Sequence, residues 1–318
     1  MNFLLSLIQK VKNRYHKRRD QLIAFLRLLI LPGFDEMPLY DVLVFFGKGL
    51  FKGSVSTRAA AVAYSFFLAI FPFIIFIFTL IPYLPIDNFQ QTLLTLFQDI
   101  IPPNTYAEVE QTITEIVMRQ NSGLLSLSFI LTFIFSTNGV SAIIDGFSGT
   151  WHTFDTKTWI QQQLSAMFLT TVLSVLVIIA IALITTGGVF IQWLIDKEMI
   201  FGGLTANLLQ FFRWFVIVLL TFFCLSMLYY YAPSKRKEYR FISPGSILST
   251  ALFIIGTLAF NFYISNFSRY NALYGSIGTL IIFMVWLYFN ALILLIGFEL
   301  NVSIRRAKME NKLLEEIE

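Results

Sequence analysis

The sequence offers few side chains that could do covalent chemistry, and a serine near a histidine is the first candidate. Residues 146–149 (GFSG) have the GxSG pattern of intramembrane serine proteases, and His152 follows four residues after Ser148. A serine nucleophile needs a base that is positioned to take its proton, and such enzymes present that base from another helix. The only other histidine, His16, lies outside every long apolar run. We therefore predict no catalytic residues and a protein that is not an enzyme.

Metal and cofactor chemistry has equally little support in the sequence. Two histidines and a single cysteine, Cys224, cannot supply the clusters that hold zinc or another soft metal. The chain contains no P-loop, no GxGxxG and no HExxH motif. We predict no metal site, no cofactor and no nucleotide site.

One acid is notable because it closes the last long apolar run. Glu299 ends the run at 276–299, and Arg58 precedes the first run, at 59–84. An even number of membrane crossings places both residues on the same side. A charge beside hydrocarbon is costly alone, and pairing reduces that cost. We predict an ion pair of Arg58 with Glu299 at the inner mouth of a cavity; alternatively, both side chains simply reach the lipid headgroups.

Other polar side chains fall inside the apolar runs. Trp286 and Asn290 lie in the last run, Asn138 in the second and Asn261 in the fifth. Indole and amide groups in lipid need hydrogen-bond partners. We predict that these four residues line a cavity or polar path; the alternative is that the amides only join neighbouring helices.

Six long apolar runs must position these residues. Hydrophobic residues make up 57% of the 318-residue chain and charged residues 13%, about half of the ~25% in soluble domains. A helix of ~20 apolar residues crosses a bilayer, and continuous runs of this length exclude barrel strands. We predict an all-α membrane bundle whose transmembrane domain, 58–303, has spans at about 59–84, 124–144, 164–188, 213–232, 244–268 and 276–299.

Lysine and arginine predict the orientation of the bundle. Of the 23 such residues, 19 precede the first span, follow the second or fourth span, or follow the last. Basic residues accumulate on the cytoplasmic side of membrane proteins. We predict an inner-membrane protein with both termini in the cytoplasm. Its basic face would contact anionic lipid headgroups and not nucleic acid.

The segments outside the spans have patterns of their own. Residues 1–57 are basic and apolar in turn, which predicts amphipathic helices on the inner leaflet, the second at about 37–51. The external segment 85–123 has apolar residues at helical spacing and a capping box at 105–108 (TYAE), which predicts a helical hairpin over the outer mouth. Residues 304–318 would form a cytoplasmic tail.

Small residues and a proline indicate how the spans pack. Pro72 lies inside the first span, where it removes a helix hydrogen bond and favours a kink. Gly275 and Gly278 form a small-residue face at the start of the last span, which lets a neighbouring helix approach closely.

Tyr229 lies at the end of the fourth span. Amphipathic aromatic rings at such positions act as anchors at headgroup level, so we predict this role for Tyr229.

Three motifs together identify a family. They are 57–64 (TRAAAVAY) leading to Phe71 and Pro72, the loop 233–237 (PSKRK) followed by 243–245 (SPG), and the run from 274–278 (YGSIG) through 286–288 (WLY) to 297–301 (GFELN). The combination resembles the YihY/BrkB family of bacterial inner-membrane proteins, whose members have often been labelled ribonuclease BN. The resemblance covers roughly residues 40–303. It implies six transmembrane helices, cytoplasmic ends and a link to lipid or amphiphile transport.

One segment departs from that family. Residues 145–163 are poorer in arginine than the family, with Asp145, Asp155 and three glutamines at 161–163. The resemblance therefore assigns no role to the charge of this loop.

The function that we predict is binding or transport of a lipid-like or amphiphilic substrate through a helix-lined cavity. A scaffold of the cell envelope that does not transport is the second hypothesis, and a membrane enzyme is the third. A wide cavity reaching from Glu299 toward the bilayer middle would favour transport, whereas a solid bundle would favour the scaffold. An oligomer is compatible with each of them.

Overall fold

The described chain is almost entirely helical. The computed structural model describes residues 18–21, 23–83, 89–100, 110–111, 113–115, 117–150, 157–197, 204–234, 239–266 and 269–316. These residues form no strand beyond an isolated bridge between Ile30 and Pro38, which confirms the all-α class. The long helices are α1 (Leu39–Lys52), α2 (Val55–Leu80), α3 (Phe89–Ile100), α4 (Ser122–Ser148), α5 (Trp159–Asp196), α6 (Leu204–Tyr231), α7 (Pro244–Asn266) and α8 (Arg269–Glu315).

Six of these helices are long and apolar enough to cross a membrane, which confirms the predicted number: α2, α4, α5, α6, α7 and α8. Helix α2 begins at Val55, so Arg58 lies in its first turn. Helix α8 does not end near Glu299 but continues to Glu315. The segment predicted as a tail after residue 303 is therefore a direct extension of the last span.

The six spanning helices form a closed ring. Going around it, α2 packs against α4, α4 against α5, α5 against α6, α6 against α7, α7 against α8, and α8 against α2. Helix α8 also contacts α4 and α1.

The core lies at one end of this ring, where α2 and α5 begin and α4 and α6 end. We call it the basic end because it carries Arg58, Lys157, Arg240 and Arg305. Three aromatic rings from α4, α6 and α8 meet there: Phe147 stacks on Phe298 with 4.0 Å between ring centroids and lies 5.6 Å from the ring of Tyr229. Among the described side chains, α5 after Thr170, α6 before Leu225 and α7 after Thr250 contain no buried residue. The bundle is therefore well packed at the basic end, and its exposed apolar side chains elsewhere are suited to lipid.

Helix α1 packs against the extension of α8. Val42 of α1 is fully buried in a cluster with Leu300, Ile304 and Ala307. The other side of α1 leaves Leu43 and Phe51 exposed. The predicted second amphipathic helix thus uses one apolar face to dock on the bundle. The predicted helix before it includes described helical residues at 18–21 and 23–28, while residues 1–17 lie outside the described chain.

The segment between α2 and α4 begins with a 3₁₀ turn, Ile81–Tyr83, followed by α3. The side-chain amide of Gln90 donates to the carbonyl oxygen of Ile81 at 3.3 Å, and that of Gln120 donates to Pro82 at 3.1 Å. These bonds tie the segment to the end of α2. The capping box predicted at 105–108 lies outside the described residues.

Candidate functional site

The structure brings Arg58 and Glu299 together at the basic end. Nη2 of Arg58 lies 3.2 Å from Oε2 of Glu299, and Nη1 donates to the carbonyl oxygen of Gly146 at 2.5 Å. The Glu299 side chain is 0% exposed and that of Arg58 12% exposed. One guanidinium therefore joins α2, α4 and α8 at a single buried point.

Glycines surround this ion pair. A Cβ atom at position 49 would lie 2.7 Å from Cδ of Glu299, and one at position 53 would lie 3.0 Å from Nη2 of Arg58. A Cβ atom at position 149 would lie 3.1 Å from Cδ of Arg58. Real Cβ atoms essentially never make a contact under 3.0 Å, and contacts of 3.0–3.4 Å are unusually tight, so the lack of a side chain at these positions lets α1 and α4 approach the pair closely. Sequence analysis did not single out Gly49 or Gly53.

The enclosure limits what the pair can do chemically. Oε1 of Glu299 and Nε of Arg58 have no hydrogen-bond partner among the residues that the structure describes. Helix α1 covers the carboxylate, whose side chain is fully buried. The arrangement suits a clasp that holds helices together, because losing one member of a buried pair leaves the other charge uncompensated.

A second buried contact fastens α6, α7 and α8. The hydroxyl of Tyr229 donates to the carbonyl oxygen of Leu294 at 2.7 Å and lies 2.6 Å from Oγ of Ser249. Oγ of Ser249 lies 3.2 Å from the carbonyl oxygen of Ile293. Gly297 permits this approach, since a Cβ atom there would lie 2.6 Å from the Tyr229 hydroxyl.

The interpretation of Tyr229 as a headgroup anchor is therefore wrong. Its side chain is fully buried between helices. Its position near the end of a span suggested an interfacial ring, but the hydroxyl instead satisfies a carbonyl inside the bundle. No local pattern distinguishes the two cases, because both place a tyrosine at the end of an apolar run.

The start of α7 is capped from two directions. Oδ1 of Asn301 accepts from the backbone N–H of Gly245 at 2.8 Å, and Nδ2 donates to Oγ of Ser243 at 2.9 Å. The same Ser243 oxygen accepts from the backbone N–H of Ser246 at 3.2 Å. The first N–H groups of a helix lack intrahelical partners, so a buried helix start needs such caps. The motifs at 243–245 and 297–301 therefore meet in space and have a structural role.

The loop that departs from the family pattern uses amide and lysine contacts. Nε2 of Gln162 donates to Oδ1 of Asp145 at 2.7 Å and to Oγ of Ser141 at 2.9 Å. Nζ of Lys157 donates to Oγ of Ser165 at 2.9 Å and to the carbonyl oxygen of Tyr231 at 3.0 Å. These contacts join α4 to α5 and α5 to α6.

Ion pairs of Asp35 hold the segment before α1 against the bundle. Asp35 pairs with Arg240 and, at 3.1 Å, with Nζ of Lys308. It thereby joins the N-terminal segment to the loop between α6 and α7 and to α8. Nearby, the guanidinium of Arg305 lies 5.5 Å from the ring centroid of Tyr239. Burial raises the pKa of the Tyr239 phenol, and the charge of Glu299 raises this pKa further.

Trp286 and Asn290 lie in a groove between α7 and α8. The groove has a volume of about 530 Å³. The rings of Trp286 and Phe260 are 4.6 Å apart, and Nδ2 of Asn290 donates to the carbonyl oxygen of Trp286 at 2.7 Å. Neither Arg58 nor Glu299 lines this groove, which is formed by Gly256, Ala259, Phe260, Tyr263, Val285, Trp286, Phe289, Asn290 and Ile293.

The structure does not unite the other predicted residues with this groove. Asn138 of α4 and Asn261 of α7 are exposed, and neither lines it. Pro72 is buried inside α2 and Gly278 is buried in α8, while Gly275 falls in the first turns of α8. The four candidates for a polar path are therefore separated, with only Trp286 and Asn290 in contact.

The fold and these contacts define a class: a multi-pass α-helical membrane protein whose six spans are fastened at one end by buried polar and ionic contacts. The chain belongs to the BrkB family, since the family model described as "Virulence factor BrkB" matches residues 48–316.

The alignments with similar proteins cover most of the chain. It is 31% identical over 255 residues to YfkH of Bacillus subtilis (strain 168), which is named as ribonuclease-like, covering 79% of this chain and 90% of YfkH. It is 25% identical over 224 residues to the UPF0761 membrane protein IL2447 of Idiomarina loihiensis, covering 70% of this chain and 75% of that protein. A UPF0761 membrane protein of Psychromonas ingrahamii is 26% identical over 275 residues, covering 83% and 88% of the two chains. No solved structure matches this chain.

Proposed function

We propose that this protein is a non-enzymatic inner-membrane protein that binds a lipid-like or amphiphilic molecule in the groove between α7 and α8 and moves it across the bilayer. The main support for the proposal is the groove between α7 and α8. Its volume of about 530 Å³ lies within the ~300–1,000 Å³ of small-molecule sites.

The walls of the groove suit an amphiphile. Aromatic and aliphatic side chains form most of it, while Asn290 adds an amide and Trp286 an indole. The amide of asparagine has two donor hydrogens and an acceptor oxygen, so its bond to the Trp286 carbonyl leaves further capacity. An apolar chain would lie along the walls, and the polar part of the ligand would bond to Asn290.

The groove also lies where a membrane lipid could enter it. Phe289 and Val285 line it and are exposed on the surface of a spanning helix. Since the spans lie in hydrocarbon, a ligand would enter sideways from the bilayer and would not first cross water.

We propose that the basic end faces the cytoplasm. Lys48 and Arg240 are exposed there, beside the apolar side chains of Phe51 and Ile242, which are 91% and 66% exposed. Anionic headgroups attract such basic residues at ~1 kcal/mol each, and the apolar side chains would enter the lipid beside them. The ion pair of Arg58 and Glu299 would then keep the cytoplasmic end of the bundle closed, and transport would require it to open.

A scaffold role is the second candidate. The contacts of Arg58, Tyr229 and Asn301 fasten the basic end, and none of these residues lines the groove. A bundle built only for rigidity would need such contacts and would bind lipid without moving it.

The test compares binding and transport in vesicles that contain the purified full chain. Ala259 lines the groove, so Ala259→Trp should fill it; Ala251→Trp is the matched control, because Ala251 is exposed on α7 but does not line the groove. We expect Ala259→Trp to lower cross-linking of a photoactivatable phospholipid to α7 and α8 several-fold, with little change in the control.

Transport is measured on the same vesicles as movement of a headgroup-labelled phospholipid between leaflets. The proposal expects movement above that of protein-free vesicles, reduced by Ala259→Trp. Groove-specific labelling without movement would favour the scaffold. Equal labelling of both variants would remove the groove as a site.

A further inference from the structure

A small cavity lies at the basic end, beside the start of α7. It has a volume of about 40 Å³, and the charged and phenolic side chains that line it are Asp35, Tyr239, Arg240 and Arg305. A single water needs about 10–15 Å³, so a cavity of this size fits a group of a few atoms and not a whole lipid. It shares no lining residue with the groove between α7 and α8.

Positive charge is in excess around this cavity. Asp35 forms ion pairs with Arg240 and, at 3.1 Å, with Nζ of Lys308. Nη1 of Arg305 donates to the hydroxyl oxygen of Tyr239 at 3.4 Å. Asp35 is the one acidic residue among those that line the cavity, where it faces two arginines. With Lys308 the cluster has three cations to one acid, which favours an anion as ligand.

The donors of the cluster suit a phosphate group. The side chain of Arg240 is 61% exposed, and its ion pair with Asp35 uses Nη2. A guanidinium has five N–H donors in a fork that matches two phosphate oxygens, so Arg240 can hold a second anion beside Asp35. The Tyr239 hydroxyl accepts from Arg305 and can donate its own hydrogen. Burial raises the pKa of Tyr239, which keeps the phenol protonated as a donor.

The cavity lies at the depth of the lipid headgroups. Pro244, which lines it, is the first residue of the spanning helix α7. Ile242 lies two residues before Pro244 and is 66% exposed, so its side chain can enter the edge of the hydrocarbon. A phospholipid beside α7 would therefore place its phosphate level with Arg240 and its fatty chains along the span.

We propose that this cavity binds the phosphate group of an anionic phospholipid. Arg240 would hold the phosphate with its fork, Tyr239 would donate a hydrogen bond, and Arg305 would add a second positive charge. The fatty chains stay outside the cavity, in the bilayer. This inference rests on the proposed contact of the basic end with headgroups, but it does not require movement of lipid through the groove.

Asp35 is the internal counter-ion of this site and competes with the phosphate. Its carboxylate binds Arg240 and neutralises Lys308 as well. Removing its charge should strengthen phosphate binding, although the ion pairs that hold the segment before α1 are lost. Removing the charge of Arg240 should weaken phosphate binding while breaking the same ion pair. A purely structural role of the pair would change lipid binding in the same direction in both variants.

The test uses phosphatidylglycerol with a photoactivatable group in its headgroup. The full chain is placed in phosphatidylcholine nanodiscs that contain this probe, and mass spectrometry measures cross-links to residues 239–244. We expect Arg240→Gln to lower this labelling several-fold and Asp35→Asn to raise it several-fold. Asparagine suits position 35, where the backbone is left-handed with φ of 54°. Changes in the same direction would overturn the proposal.

Matched controls separate the cavity from the basic surface as a whole. Lys48→Gln and Glu36→Gln make the same changes of charge at exposed residues that do not line the cavity. We expect little change in the labelling of residues 239–244 in either control. Control variants that shift labelling as much as Arg240→Gln and Asp35→Asn would show only a diffuse attraction to the surface and overturn the site.

Two further arms identify the ligand. Inorganic phosphate at constant ionic strength should reduce labelling no more than chloride does, because the bilayer holds the lipid at a high local concentration. Displacement by inorganic phosphate would show that the site takes soluble phosphate and would overturn the lipid as its source. A phosphatidylcholine probe with the same photoactivatable group should label residues 239–244 several-fold less, and equal labelling would overturn recognition of an anionic headgroup.

The groove variant distinguishes this site from the proposed transport. Ala259→Trp fills the groove, which shares no residue with the cavity, so it should leave labelling of residues 239–244 unchanged. Unchanged labelling in a protein that moves no lipid would support the cavity and remove only the transport. Loss of this labelling in Ala259→Trp would overturn a phosphate site that is separate from the groove.

Discussion

Gly49 lies directly against the carboxylate of Glu299, and a Cβ atom at position 49 would come within 2.8 Å of Cγ of that residue. The two residues are far apart in the chain and belong to α1 and α8. The contact shows that α1 is the cover of the buried ion pair.

Gly49→Ala should therefore loosen this cover. The added methyl group overlaps a buried side chain, and overpacking of this kind costs about 1–3 kcal/mol of unfolding free energy. Gly47→Ala is the matched control, because a Cβ atom at position 47 meets no atom within 4 Å. Thermal unfolding in detergent should show a lower midpoint for the first variant and an unchanged or higher one for the second. Equal midpoints would contradict the close packing of α1 on Glu299.

The ion pair should show strong coupling between its members. Glu299→Gln and Arg58→Gln each leave one buried group without its partner, which costs about 3 kcal/mol or more. The double variant should be less destabilised than the sum of the two single variants, as measured by a double-mutant cycle on unfolding free energies.

The exposed pair of Arg19 and Asp20 is the control for this cycle. Its side chains are 53% and 63% exposed, so Asp20→Asn should change stability by less than about 1 kcal/mol. Full additivity of the changes at positions 58 and 299 would show that the contact has no energetic role.

The sequence was sufficient to predict the number of spanning helices and to suggest Arg58 as a partner of Glu299, with contact of both side chains with lipid headgroups as the alternative. Hydropathy is a local property, so six apolar runs predict six helices, and their even number places Arg58 on the same side of the membrane as Glu299. The length of α8 was not predicted, because Arg305 and Lys308 end the apolar run without ending the helix.

The side chains that face the interior were harder to predict. Apolar residues surround most of the spans, so nothing in the sequence shows which face of a helix is buried. Asn138 and Asn261 were therefore assigned to a polar path, although they are exposed. Conversely, Tyr229 and Ser249 were not recognised as interhelical contacts, because their bond depends on packing of α6 against α7.

The side chain of Asn301 should stabilise the first turn of α7 by capping it. Asn301→Ala removes the acceptor for the Gly245 N–H and the donor to Ser243, so a buried backbone group loses its partner. We expect a loss of about 1–3 kcal/mol in unfolding free energy. Asn311→Ala, on the exposed extension of the same helix, should have little effect. Asn301→Asp keeps the acceptor oxygen, and an outcome in which it is as stable as wild type would show that the bond to Ser243 is dispensable.

Asn290 allows the fold and the proposed ligand site to be separated. Its side-chain amide donates to the carbonyl oxygen of Trp286 in the same helix, and α8 keeps its backbone hydrogen bonds without this side chain. Asn290→Leu should therefore leave the thermal midpoint within about 2 °C of wild type, which is less than 1 kcal/mol. The same variant should lower photo-cross-linking of a phospholipid in the groove, because the polar part of the ligand loses its partner. Asn261→Leu is the control: it makes the same replacement at an exposed position of α7 that does not line the groove. If Asn261→Leu reduces cross-linking as much as Asn290→Leu does, the amide in the groove has no specific part in binding the lipid.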